Sequence, residues 1–252
     1  MTSPRIIITT LESAGAVLPD AITAAAEQFD RVTAASAQLH GTTGMVPTYT
    51  LAALDAGRDP FADPKVQQAM VADHLAQIKG TTQVDSLAAD RFREILHKHI
   101  ADVMNALQDV VDTAAAAVQR AAKSLGGADP ADPTAVLSLG GRAAEAWGQH
   151  QVAAKQLDAI NTARGLIAQT LHWSEPGNRV RSLRWAALTA AQIDDYGSAA
   201  PETMVRAGIT LALADAAELQ RRTRAIEAEH QAADNDLERR RKTELRTIPI
   251  PA

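Results

Sequence analysis

The chain of 252 residues contains no cysteine. That excludes disulfides, thiolate metal sites and thiol catalysis. Aromatic residues are scarce, with three Phe, three Trp and two Tyr. Large rings therefore do not build the core, and the 46% apolar content rests on Ala, Leu, Ile and Val. No apolar run is long enough to cross a bilayer; the longest near the start, "IIITTL", is also too short for a secretory signal and lacks a small-residue cleavage pattern. An excess of positive charge is missing too, since the net charge is −5 and the pI about 5.8. That balance favours neither nucleic acid nor an anionic membrane as a partner. Nor is there a Gly-rich phosphate loop, a Gly-x-Ser-x-Gly elbow or a His-Glu-x-x-His motif. These absences lead to the expectation of a soluble, non-enzymatic chain without cofactor, metal, membrane or direct nucleic-acid contact.

What is abundant is helix-forming residues. Ala costs least in a helix, and one segment after another shows apolar residues at spacings of three and four. Ile22, Ala25, Phe29, Val32, Ser36 and Leu39 form one stripe, between Pro19 and Gly41. Asp63-Pro64 opens a helix through Lys79, closed by Gly80. A further helix runs from Asp85 or Ser86 to Leu125, with Phe92, Leu96, Val103, Leu107, Val110 and Ala114 on one face. Others cover Gly140 to Trp173, Arg179 to Tyr196, and Pro201 to Arg246. The fold class expected is all-α: an elongated bundle of about five or six helices. "GGADPADP" is the clearest break. It suggests two helical regions, 1–127 and 134–252, which can also form one continuous bundle.

Two segments carry a sustained 3.5-residue period. Leu139, Ala143, Ala146, His150, Ala153, Leu157, Ile160, Arg164, Ile167 and Leu171 alternate steps of four and three. So do Val205, Ile209, Ala212, Ala216, Leu219, Thr223, Ile226, His230, Ala233 and Leu237. That period wraps helices into left-handed bundles or coiled coils, within one chain or between chains. His150 and His230 are polar seam positions, of the kind that set register or partner number. An unbroken helix over 201–246 would span about 68 Å, against a diameter of about 45 Å for a compact domain of this length. It must break, lie along an elongated bundle or meet another chain.

The two ends read as extended arms. "PRIIITT" opens with β-branched residues, and "RTIPIPA" holds two prolines that forbid helix. Candidate interaction residues are therefore Leu219, Ile226, His230 and Leu237 for helix contacts. Ile6, Ile7, Ile8, Ile248 and Ile250 are the candidates for the arms. The "LERRRKTELR" stretch looks basic, but from Asp215 to Arg246 eight basic residues meet eight acidic ones. A nucleic-acid footprint needs uncompensated positive charge.

One chemical alternative has a motif. Glu94/His97 and Glu227/His230 are two Glu-x-x-His pairs, and with Glu27 and Glu145 they follow the ligand order of ferritin-like di-iron proteins. The facing angles oppose it, because at 100° per residue Glu94 lies about 160° and His97 about 100° from Leu96 on the apolar stripe.

Taken together, the Arg- and Ala-rich composition, the heptads of 139–171 and 205–237 and the ends "PRIIITT" and "RTIPIPA" give the chain a texture. It resembles the helical structural proteins of tailed phages that infect actinobacteria. The resemblance implies a helical body with arms that dock on neighbouring subunits, protein partners including copies of itself, a place in a virion or otherwise the cytoplasm, and no catalytic residues. A helical adaptor or regulatory protein acting on a cellular partner is the alternative.

Overall fold

Pro4–Ser13 form a helix, α1, where an extended arm was expected. Pro4, Ile7, Ile8 and Leu11 are buried on one face of it, and Ile6 points to solvent, 53% exposed. Intrinsic β preference in "IIITT" is worth only tenths of a kcal/mol per residue. Burying four apolar side chains at helical spacing outweighs it. This computed structural model describes residues 3–175 and 177–247, with the side chains of Arg179 and of 242–247 outside the description. Ile248 and Ile250, the other proposed arm residues, lie outside the described residues.

The chain is all-α, with eleven α-helices and no strand among the described residues. It divides into two compact units, residues 1–12 with 17–103 and residues 13–16 with 104–252. The division falls inside a helix, at Val103 and Met104. The Gly- and Pro-rich stretch that marks a boundary in the sequence, 126–133, lies within the second unit.

The first unit contains α1, α2 (Asp20–Thr42), α3 (Val46–Asp55), α4 (Pro64–Gln77) and α5 (Gly80–Lys98). α2 packs against α5 and α4, and α3 against α4. Ile22, Ala25 and Ala26 of α2 and Ala89, Phe92 and Leu96 of α5 are buried. Small polar bonds tie the helices. Ser36 Oγ donates to Asp85 Oδ2 at 3.1 Å, and Thr81 Oγ1 and His40 Nε2 lie 3.1 Å apart. Asp63 caps α4 as its position before Pro64 suggests, accepting from Lys65 N at 2.9 Å. Between α4 and α5 the residue with left-handed backbone is Lys79, not Gly80. Gly80 is closely packed: a Cβ there would stand 2.8 Å from Leu75 Cδ2, and the end of that leucine side chain would have to shift.

The helix expected over 86–125 starts earlier and breaks at His99. The second piece, α6 (Ile100–Ser124), carries the buried series Val103, Leu107, Val111, Ala114, Val118 and Ala121. From Met104 onward it belongs to the second unit, with α7 (Pro133–Ser138), α8 (Gly141–Thr170), α9 (Ala190–Tyr196), α10 (Pro201–Arg206) and α11 (Ala216–Thr247). Asp132 caps α7 through Thr134 N and Ala135 N. Leu125, Val136, Ala143 and Ala146 then form a small core with Trp147 against it, whose Nε1 donates to Pro130 O at 2.9 Å. These contacts fold the Gly- and Pro-rich stretch into the unit.

Two long helices expected from the sequence are interrupted. Residues 179–196 form a 3-10 segment, Asn178–Arg184, and then α9, which starts at the Thr189/Gln192 capping box. The stretch 201–246 breaks into α10 and α11 around Gly208, which has a φ of +81°. The stretch too long for its domain is thus broken at Gly208.

Candidate interaction surface

The seam of α8 is the buried face of that helix. Ala143, Ala146, His150, Ala153, Leu157, Ile160, Arg164 and Ile167 are all buried, although Leu139 before the helix is exposed. Two polar side chains in this seam meet different fates. Arg164, 1% exposed, donates from Nε to Ala214 O and from Nη1 to Glu175 Oε1, both at 2.9 Å. Its guanidinium carbon lies 5.6 Å from the centre of the Trp173 ring, a cation–π contact. Burial lowers the Arg164 pKa from its ordinary value, and Glu175 works against that shift. Glu175 also stands 2.5 Å from Arg184 Nε, an ion pair without hydrogen-bond alignment. His150 has no such help, since neither ring nitrogen has a hydrogen-bond partner.

Residues 209–215 are rich in helix formers, "ITLALAD", yet they are not helical. Other parts of the unit satisfy their backbone groups one by one. Ala212 N and Ala214 N donate to Trp185 O and Arg184 O. Gln108 donates to Leu211 O at 3.2 Å and accepts from Leu213 N at 2.7 Å. Arg164 covers Ala214 O, and Arg222 Nη1 donates to Ala212 O at 3.0 Å and Leu183 O at 2.9 Å. Six backbone groups thus find partners outside a helix, which is what a buried non-helical segment requires.

That segment fixes the root of α11. Asp215 Oδ1 accepts from Glu218 N at 2.8 Å, satisfying one of the orphan donors of the first turn. Leu219, Arg222 and Ile226 are buried. Glu218 accepts from both Arg221 and Arg222. Desolvation pushes the Glu218 carboxyl up, and the two arginines more than offset it, so its pKa falls below the ordinary value.

Past Ile226 the surroundings change. Every residue from Glu227 to Arg241 is exposed. Among them are the seam residues His230, Ala233 and Leu237, the last 54% exposed. Glu229 accepts from Ala190 N at 2.6 Å, at the start of α9. The candidate helix residues therefore divide: Leu219 and Ile226 anchor the helix within its own unit, and His230 and Leu237 are presented to solvent. The arm candidates divide too. Ile7 and Ile8 are core residues of α1, which corrects their assignment to an extended arm, and Ile6 alone is exposed. Gln108 and Arg222, which hold the root, had no signal in the sequence, because neither lies on a seam.

Apolar side chains are also exposed in the first unit, including Leu51, Leu54, Phe61 and Leu87. A groove beside α2 and α5 is lined by Phe29, Val32, Val84, Leu87 and Ile95. In the second unit a polar cleft of ≈ 300 Å³ is lined by Asp158, Asn161, Arg181, Arg184 and Glu202 among others. Arg181 is engaged there with Ser198 O through both Nε and Nη2.

Of the di-iron candidates, Glu27, Glu94, His97, Glu145, Glu227 and His230 are each exposed. Among the described residues no three His, Asp or Glu side chains gather where they could hold a metal ion. No described helix is long and apolar enough to cross a membrane. No protein-family model, curated protein or solved structure matches the chain.

Proposed function

We propose that the chain is a non-enzymatic, self-associating helical protein that acts through protein–protein contacts. The observation that carries this is α11. Its root is buried and pinned by Leu219, Arg222 and Ile226, and its next fifteen residues, 227–241, are exposed while continuing the heptad seam. An isolated surface helix gains little from propensity alone, so most helices of this length owe their stability to packing. A solvent-exposed seam with leucine at one position is what a partner helix would cover. Placement as a phage virion or head–tail assembly component rests on the likeness in composition and texture described above, and is part of the same proposal.

The second reading, a helical adaptor for a cellular partner, is favoured by the apolar groove of Phe29, Val32, Val84, Leu87 and Ile95. Such a groove suits the apolar face of an amphipathic helix.

Absolute mass by light scattering on a size-exclusion column, over a concentration series, tests the proposal. A discrete oligomer whose mass rises with concentration is expected. A mass of 26.7 kDa at every concentration would reject self-association and move the adaptor ahead. Elemental analysis of the same fractions tests the di-metal alternative: two iron or manganese ions per chain would overturn the non-enzymatic reading.

A further inference from the structure

The exposed half of α11 is divided by charge. From Glu227 to Glu238 there are five acidic residues and no Lys or Arg; from Arg239 to Arg246 there are five basic residues and one acidic. The helix dipole does not account for this, because its influence falls off within the first and last turns. The acidic block begins eleven residues inside the helix, at Glu227. Pairing within the helix accounts for only part of it. Asp236 and Arg239 stand 3.6 Å apart across the junction. Glu229 and Asp234, however, have no Lys or Arg three or four positions away on either side.

We infer that the exposed half of α11 pairs antiparallel with the same segment of a second copy of this chain. The inference deepens the self-association reading and rests on it. Charge chooses both the occupant and the direction. A parallel, in-register pair would set acid against acid and base against base, which is destabilising. An antiparallel pair turned about a two-fold axis at the Glu238–Arg239 junction sets Asp236 of one copy level with Arg241 of the other and Glu238 level with Arg239, with Asp234 about 3 Å along the axis from Arg241. Each contact then occurs twice, as a two-fold interface requires. The same axis brings the two copies of Leu237 within about 5 Å of each other along the helix, less than one turn. The exposed leucine of the seam and the switch of charge thus coincide. Ala233, a turn away, leaves room for close approach of the backbones.

Two charge variants of the full chain test the pairing. One carries Arg239→Glu, Arg240→Glu and Arg241→Glu; the other carries Asp234→Lys, Asp236→Lys and Glu238→Lys. All six positions are exposed, so both variants should fold with the circular dichroism of the parent. Each alone should run as a monomer in light scattering at low salt, and an equimolar mixture should regain the dimer mass. The parent dimer should dissociate at least tenfold more readily in 1 M NaCl, where the screening length falls to about 3 Å. Direction is read separately. The chain has no cysteine, so a single engineered one reports alone. Leu237→Cys should cross-link to its own copy on oxidation. His230→Cys should not, because antiparallel pairing separates the two by about 25 Å, beyond disulfide reach.

The failures are distinguishable. A parent chain that stays monomeric overturns both the self-association reading and this inference. A parent oligomer whose mass survives in both charge variants leaves self-association standing and removes α11 from the interface. Efficient cross-linking of His230→Cys overturns the antiparallel direction.

Discussion

At the scale of single residues, two polar side chains in or beside the α8 seam behave in opposite ways. Arg164 is buried with its hydrogen bonds and ion pair largely made, and so does structural work as a clamp on Glu175 and Ala214. His150 is 4% exposed and makes no hydrogen bond. Burial lowers its pKa, the nearby Arg206 lowers it further, and Glu202 opposes them. The folded chain therefore takes up a proton less readily than the unfolded one. Stability contributed by neutral His150 is fully present above the unfolded value of about 6.5 and is lost as pH falls through that value toward the lower folded one. Replacing His150 with Leu removes two unsatisfied buried nitrogens at similar volume. His150→Leu should raise stability by about 1–2 kcal/mol near pH 7. Its thermal midpoint should also fall less than the parent's between pH 7.5 and pH 5.5. Equal slopes in thermal melts followed by circular dichroism would mean that His150 is not the group that titrates. Gln108 makes the complementary case. It serves two backbone groups of the 209–215 segment, Leu211 O and Leu213 N. Gln108→Ala should cost about 2 kcal/mol and speed amide hydrogen exchange at Leu213. Unchanged exchange there would show that Arg164, Arg222 and the carbonyls of Arg184 and Trp185 hold the segment without Gln108.

At the scale of elements, the legible part of the sequence was periodicity with punctuation. The α8 seam is legible position by position from Ala143 to Ile167, including the polar His150 and Arg164, because a 3.5-residue period survives any choice of partner. The Asp63 cap was equally plain, since its chemistry is local. Three things were not legible. α1 was hidden by its three isoleucines, whose local preference is overridden by burial of Ile7, Ile8 and Leu11. The break after α10 was hidden by "LALAD", a helix-forming string held open by partners 27 to 105 positions away in sequence, such as Trp185 and Gln108. The end of the core on α11 was hidden because the seam continues in the sequence past Ile226, where burial stops. Composition carries no record of such distant contacts. α1 supplies a direct test. Ile7→Ala should cost about 2–4 kcal/mol, because its side chain is 1% exposed, whereas Ile6→Ala on the opposite face should cost less than about 0.5 kcal/mol. An arm that docks on a neighbouring subunit would give another pattern: both substitutions would weaken assembly and leave the melting of the isolated chain unchanged. Urea melts of the two variants at low protein concentration separate these cases.

At the scale of the whole molecule, the proposal gives the two ends of α11 separate duties, and a truncation can divide them. Leu219, Arg222 and Ile226 bind the root to the second unit, and Glu229 reaches Ala190 N. Ending the chain after Gln231 keeps all four and removes ten exposed positions, 232–241, together with everything after them. Deleting exposed helix should change stability by no more than about 0.5 kcal/mol, which for a chain of this size shifts the thermal midpoint by about 1–2 °C. The same deletion removes Leu237 and the charge junction, so the mass in light scattering should fall to that of one chain. The two readouts answer different questions. An unchanged midpoint with a lost oligomer places association in the exposed half of α11 and folding in its root. A midpoint lowered by 5 °C or more would mean that the segment supports the fold of its own chain, and the exposed seam would lose its claim to be an interface. An oligomer that persists with an unchanged midpoint would shift attention to the first unit, where Phe61 and Leu87 are exposed and an apolar groove runs beside α2 and α5. There, Leu87→Asp should then dissociate the assembly that the truncation had left intact.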